Sequence, residues 1–414
     1  MPAIPNDPVL DSSLAFRREG YEFCRNRHRR FQSDIFSARL LASRHFCVAG
    51  EEAAEMFYTP DRFTRSGGLP SSTLKLLQDK DSVAVLDGDA HRQRKRMFLS
   101  LMRPERLELV ASLAADTLRD IARSWPKSSP ICLHKELRGV FCKAACRWAE
   151  IPFDNAEQAR LTVELGAMID NAGSIGPANW LARLRRRRSE ILLRDLVEAV
   201  RAGKYAPSAD SALHVIASAV LHEGRPLAAE TCAVELLNLL RPITAIATFV
   251  MFAALALHEQ PGLRERLLAD RSYLEPFVQE VRRLAPFFPI VAGVAREDFS
   301  WRDHEFHRGD RFVLDLYGTN RDARAWDEPA AFRPERFMRW NGSPFSMVPQ
   351  GGGEFETGHR CAGEWLTIGA MKATIAVLLH EIEYSLPAQD LSVDLARIPA
   401  RPESGVLIAV ARVN

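Results

Sequence analysis

Cys361 stands where a glycine-rich run meets a long helical pattern, in PQGGGEFETGHRCAGEWLTIGAMKATIAVLLHEI, with no proline beyond it to break the helix. A thiol at a helix N-terminus faces unpaired amide N–H groups and the positive end of the dipole. Both favour the thiolate, the form that ligates metal or attacks carbon. Glycines 351 to 353 let backbone approach closely. On its own such a cysteine has three readings: a structural thiol, a hydrolytic nucleophile or a metal ligand. Two other groups are placed to do chemistry. Glu280 and Arg283 lie one helical turn apart in QEVRRLAP, with FRPERF following at Phe332 to Phe337. Arg241 and Pro242 sit in LLRPITAIAT, with apolar residues before and after them on every helix face. An interior arginine has to be paired, so Arg241 implies an anion. Pro242 removes one backbone hydrogen bond and can kink the helix.

The elements that must hold these groups are mostly helical. Amphipathic patterns run through PERLELVASLAADTLRDIARSWP from Pro104, LRRRRSEILLRDLVEAVRAGK from Leu184, and a long segment from Glu230. The last has an uninterrupted apolar or small stretch only from Pro242 to Leu257. That falls short of the roughly 20 residues of a membrane span, so it reads as a buried core helix. FSARLLASRHFCVAG reads as a pair of short strands, with Gly50 a break before EEAAEMFY. FSWRDHEFHRGDRFVLDLY alternates and turns at His307 to Asp310 like strands, and GVLIAVARV closes the chain as another. With neither repeats nor low-complexity linkers, residues 1–414 read as a single domain.

Composition narrows the partners. With 47% hydrophobic and 26% charged residues the chain suits a globular protein with a large core. Its 55 basic and 53 acidic residues are interspersed. The runs CRNRHRRF, HRQRKRM and Arg185 to Arg188 read as solvated helix faces, and nucleic acid is not indicated. Seven cysteines form no dense framework, and the N-terminus carries two early prolines and acids instead of a secretory pattern. A reducing cytoplasm is the expected location.

ExxR, FRPERF and the cysteine loop occur in the order and at the spacing found throughout cytochromes P-450, and the chain resembles that superfamily from FYTPDRF to its last strand. The resemblance implies a mainly α fold, a helical prism with a small β-sheet region. Haem b would lie between the long central helix and the cysteine helix, its iron held by Cys361. It also implies that Glu280, Arg283 and Arg333 form a buried charge network bracing the cysteine loop. Departures point to a branch. The usual FxxGxRxCxG is altered, with Glu354 and Thr357 at two of its positions and only His359 and Gly363 compatible. From Leu236 to His258 there is no Asp or Glu, so the usual proton relay to dioxygen is missing. Arg-Pro at 241–242, QGGG before HRC and DLYGTN at Asp315 to Asn320 are instead similar to the bacterial peroxygenases that oxidise fatty acids.

That branch implies the remaining assignments. Arg65, Lys95, His91, Tyr317, His359 and Arg360 would contact the haem, with Arg65 and Lys95 on its propionates. Gln78, Ala84, Phe287 and Phe288 would line the substrate beside Arg241. A fatty-acid carboxylate paired with Arg241 would replace the missing acid, taking a proton from hydrogen peroxide and returning it to the departing oxygen. Oxidation would fall at Cα or Cβ, with no redox partner, no nucleic acid and no membrane span. Ala84 stands where hydroxylating relatives carry Gln and an alkene-forming relative carries His, and Gln78 where an aromatic is usual. Hydroxy acids are therefore the expected main product and terminal alkenes the minor one. The alternatives are a reductase-dependent monooxygenase of the same fold, a peroxygenase acting on a different carboxylic acid, and a haem sensor or carrier without turnover.

Overall fold

The computed structural model describes residues 3–79, 81–221 and 223–413. Its axis is the 31-residue helix Ala229–Glu259, apolar on nearly every face and buried accordingly. By length and hydropathy this helix could cross a membrane, yet 83% of its apolar window is buried inside the fold. Helices Leu133–Ala149 and Pro177–Arg201 pack along it. Pro104–Ala122 bridges Leu133–Ala149 to the cysteine helix Glu364–His380, which itself touches the central helix. Local chemistry fixes several ends. Proline occupies the first turn of Pro104–Ala122, where no amide is needed. Asp154 and Glu157 form a reciprocal capping box on Asn155–Asp170.

The β region lies to one side. Strands Ile35–Leu40 and Ser43–Val48 pair antiparallel from Ile35↔Val48 to Leu40↔Ser43. The two turn residues, Leu41 and Ala42, take φ of 48° and 61°, a conformation hairpins usually give to Asn or Gly. Ser43–Val48 then runs parallel to Arg311–Asp315, which pairs antiparallel with Ile290–Ala295, and Phe63–Thr64 closes that edge. Phe46, Phe57, Phe63, Phe306 and Phe312 fill a separate small core beneath this sheet. The short hairpin Phe299–Trp301 with His304–Phe306 and the closing strand Leu407–Val413 lie where the alternation in the sequence put them. Gly50, at φ 94°, breaks the chain before helix Glu51–Tyr58.

The three basic runs are not simply solvated faces. Each turns part of itself inward: Arg27, then Arg94 with Lys95, then Arg186 are buried. Successive helical residues point about 100° apart, so a run of four visits every face. The inward arginines meet acids, Arg27 on Asp7, Arg94 on Glu235 at 2.5 Å and Arg186 on Glu190 at 2.6 Å.

Candidate active site

Between the central helix and the cysteine loop lies a cavity of about 880 Å³. Leu239, Arg241, Pro242, Ala245, Ile246 and Phe249 line one wall, and Gln350, Gly351, His359 to Gly363 and Leu366 the other. The loop folds tightly because Gly351 and Gly353 take φ of 88° and 81°, and because a side chain at Gly352 would strike the Pro344 carbonyl at 2.5 Å. Tyr58 packs over all three glycines. The Cys361 amide donates to the Gln350 carbonyl at 3.1 Å, closing the loop and turning the thiol to the cavity.

The sequence pattern suggested that the helix end alone would favour the thiolate. Burial and the neighbouring Glu364 instead push the thiol up, against the Gly363 amide, Lys95 and Arg282. A bound metal cation would reverse that balance. Among the described residues no cluster of three His, Cys, Asp or Glu side chains could hold such an ion. A metal at Cys361 must therefore bring its other ligands with it, as a macrocycle does.

A basic wall answers the rest of such a group. Arg65, His91, Lys95 and His359 line the cavity together. None forms an ion pair with a carboxylate among the described residues: Arg65 donates to the Ala292 carbonyl at 3.2 Å and lies over the rings of Phe57 and Tyr58. Lys95 donates to the carbonyls of Gly358, at 2.9 Å, and Arg360. The His91 and His359 rings lie 4.0 Å apart. Burial, with Lys95 and Arg65 adding, lowers them to about 4 and about 2, and burial brings Lys95 down to about 8. Four basic groups crowded without an anion fit the two carboxylates of a haem. Arg360 also lines the cavity, but its Nε is committed to Glu364 at 2.6 Å. Tyr317 is not at the cavity. It packs edge-on against Tyr21 at 5.2 Å and under Arg321 at 3.6 Å, because Leu316–Thr319 forms a short helix, capped by Asp315 at the end of strand Arg311–Asp315, that turns the ring away.

The charge network also differs from expectation. Glu280 and Arg283 pair in full burial, at 2.7 Å. Arg333 supplies only its backbone N–H to Glu280, at 2.8 Å, while its guanidinium reaches the exposed Glu328. Once the Arg333 amide points inward the side chain must point out, and Arg336, one 3₁₀ turn later, comes back to Glu280 at 3.1 Å. Arg283 also donates to the Asn320 carbonyl, and Asn320 accepts from the Val348 amide ahead of the cysteine loop.

Sequence reasoning missed a second, parallel clamp. Arg282 pairs with Glu364 at 2.6 Å and donates to Gln350 Oε1 at 3.1 Å, which turns Gln350 Nε2 toward Cys361 Sγ at 3.7 Å. The signal was two consecutive arginines on a buried helix, which demand acids on two sides.

Arg241 is buried with its Nε unpartnered. Its Nη2 donates to the Leu77 carbonyl at 2.7 Å and Asn238 Oδ1 at 3.4 Å, and no carboxylate pairs with it among the described residues. Burial, then the nearby Arg186, lowers it to about 9, so it stays charged at neutral pH. Asn238, also missed, ties it to Glu235, which is spent on Arg94 and the Val83 amide. Pro242, exposed on an otherwise buried helix, faces the cavity. Gln78, Ala84, Phe287 and Phe288 line the same space, Phe287 stacked on Phe249 at 4.7 Å.

Comparison with known proteins agrees with this geometry. A family profile described as cytochrome P-450 matches residues 255–402. Among curated proteins, tabersonine/lochnericine 19-hydroxylase of Catharanthus roseus is 32% identical over 28% of this chain and 23% of its own length. Putative cytochrome P-450 137 of Mycobacterium tuberculosis is 22% identical over 82% of this chain and 74% of its own. Solved structures match throughout. Cytochrome P-450EX alpha (CYP152N1) with myristic acid shares 39% identity and covers both chains fully at a TM-score of 0.96. Cytochrome P-450SP alpha (CYP152B1) with (R)-ibuprofen shares 39% identity over 97% of this chain and 99% of that one, at 0.95. A cytochrome P-450 OleT variant with arachidonic acid shares 34% over 100% and 99%, also at 0.95. The chain belongs to the cytochrome P-450 family, whose members carry haem iron. Among its relatives there are the CYP152 proteins cytochrome P-450SP alpha and cytochrome P-450EX alpha.

Proposed function

We propose that this protein is a haem-thiolate peroxygenase that uses hydrogen peroxide to hydroxylate fatty acids at Cα or Cβ. The observation that carries this reading is Arg241: a buried guanidinium facing the cavity, without a carboxylate partner among the described residues, on a helix stretch, 236–258, that contains no acid. Myristic and arachidonic acids in the related structures support a fatty acid as the partner. Haem b on Cys361, its propionates among Arg65, His91, Lys95 and His359, would supply the oxidising iron.

The residues of this chain do the rest. Arg241 takes the substrate carboxylate through its planar fork, which suits two parallel charge-assisted hydrogen bonds. Leu77 and Asn238 hold the fork in place. The bound carboxylate is the cavity's acid–base group, accepting a proton from hydrogen peroxide and returning it to the departing oxygen. Pro242 leaves the Asn238 carbonyl without its helical donor and leaves space beside the anion. Phe287, Phe288, Gln78 and Ala84 guide the chain, and anchoring at Arg241 keeps Cα and Cβ nearest the reaction centre. A redox partner is unnecessary in this scheme, and the cytoplasm is the proposed location.

Incubation of the purified haem protein with hydrogen peroxide and saturated acids of several lengths, with products identified by mass spectrometry, tests the reading. Hydroxy acids formed with peroxide alone support it. Turnover that requires a reductase and a nicotinamide cofactor overturns it.

A further inference from the structure

Helix Ser71–Leu77 ends against the cavity, where Ser72, Thr73, Leu77 and the following Gln78 form part of the wall. The last carbonyls of a helix have no intrahelical donor, and the negative end of its dipole favours cations there. Two arginines from different helices take two successive carbonyls of this end. Arg241 Nη2 donates to the Leu77 carbonyl at 2.7 Å, and Arg186 Nη1 to the Leu76 carbonyl at 2.8 Å. Carbonyls on successive helical residues are offset by about 1.5 Å along the axis, so the two guanidiniums are neighbours. Both are buried, and each keeps one N–H without a partner among the described residues, Arg241 at Nε and Arg186 at Nη2.

Their surroundings differ. Arg241 has no carboxylate among the described residues, and the nearby charge of Arg186 adds to burial in opposing its own charge. Arg186 does have an acid: its Nε meets Glu190 Oε1 at 2.6 Å, one turn along helix Pro177–Arg201. That pair is asymmetric. The Arg186 side chain is 2% exposed and the Glu190 side chain 23%, so water screens the acid more than the guanidinium. A positive field from Arg186 is therefore left on the buried side, where Arg241 stands. Two like charges held together in an interior are unfavourable until an anion joins them. Arg186 itself does not line the cavity, so it acts through Arg241 and through the helix end that both arginines hold.

We propose that Arg186 is a positioning residue for the anion site: it fixes the helix end that orients Arg241, and its charge makes the cavity select an ionised head group over a neutral one of the same shape. The assignment rests on the fatty-acid reading, in which Arg241 receives the carboxylate. A single guanidinium also holds an alcohol or ester oxygen by hydrogen bonding. A second charge behind it favours only the carboxylate.

The test is binding of decanoic acid and of decanol to the haem-loaded protein, without peroxide, by isothermal titration calorimetry. Burial raises the Glu190 carboxyl, so the titration is run at about pH 8 to keep it ionised. Arg186→Gln is expected to weaken the acid about fivefold or more while leaving decanol nearly unchanged, and Arg186→Lys to recover part of that loss. Glu190→Gln, which removes the opposing acid, is expected to tighten the acid about twofold or more. Opposite signs mark a field, since a role confined to packing would weaken acid and alcohol alike whichever member of the pair is removed. Circular dichroism and haem content establish that each variant is folded. Equal loss for acid and alcohol in Arg186→Gln, no loss for either, or a shift of the acid in the same direction in both charge variants overturns the proposal. If Arg186→Gln does not fold, Glu190→Gln decides alone, and acid binding that fails to tighten overturns it. The fatty-acid reading fails differently. A wild type that binds decanol as tightly as the acid, or whose preference survives Arg241→Ala, removes that reading and this assignment with it. A preference that Arg241→Ala abolishes but Arg186→Gln leaves intact overturns this assignment alone.

Discussion

Arg241→Ala should cut peroxide-driven oxidation of a long-chain acid by at least about a hundredfold while haem content stays unchanged, because anchor and acid–base group leave together. Product quantification and the haem spectrum read the two halves of that statement. Acetate added to the wild type should promote oxidation of a neutral co-substrate, since any small carboxylate can occupy the fork. Ala84→His should raise the share of terminal alkene over hydroxy acid, measured by gas chromatography, and an unchanged ratio would remove Ala84 from product control. Single residues of this kind were legible where chemistry forced an oddity, as with Cys361, Arg241 and Pro242. They were illegible where the side chain looked ordinary. Asn238 and Gln350 are neutral amides whose importance lies only in what they face. Tyr317 was placed by motif alone, and a one-turn helix rotated it out of the cavity.

At the scale of elements, the corrected charge network separates in importance two arginines three residues apart in the chain. Arg336 keeps only a tenth of its side chain exposed against Glu280, whereas Arg333 is 46% exposed on Asp327 and Glu328. Arg336→Ala should therefore destabilise by about 2–3 kcal/mol, leaving part of a buried carboxylate uncompensated. Arg333→Ala should cost under about 0.5 kcal/mol, as exposed pairs do, since its structural bond is made by the backbone. Urea unfolding of both variants distinguishes them. Helices and strands themselves were read well because period and punctuation reflect local physics: the break at Gly50, the alternation from Phe299 and the apolar central helix all appear as elements. Which of two neighbouring arginines turns inward is decided by the 3₁₀ turn at Pro334–Met338, a non-local fit that composition does not encode. The same limit explains why runs read as solvated faces conceal Arg27, Arg94 and Arg186.

For the whole molecule, stability should fall with rising pH around neutrality through Asp315. Burial raises this carboxyl from 3.8 to about 7, with the Gly318 amide opposing. A raised folded-state value leaves stability intact below the unfolded value and removes it progressively up to the folded one. Between about pH 5 and 8 the loss from this group should be about 2–3 kcal/mol, and Asp315→Asn should flatten that part of the profile in thermal or urea unfolding. Sheet order was beyond the sequence, since the parallel pairing of Ser43–Val48 with Arg311–Asp315 joins strands more than 260 residues apart. Distance along the chain also separates Arg282 from Gln350 and Cys361, which one short relay joins in space. With haem held on Cys361 as proposed, that relay would make the colour of the protein a gauge of its tertiary packing. On heating, drift of helix Leu274–Leu284 by a fraction of an ångström should release the amide from sulfur and move the absorption of the reduced carbon monoxide complex while circular dichroism still reports intact helices. Absorbance and ellipticity followed along one temperature ramp should therefore separate, with the visible band leading.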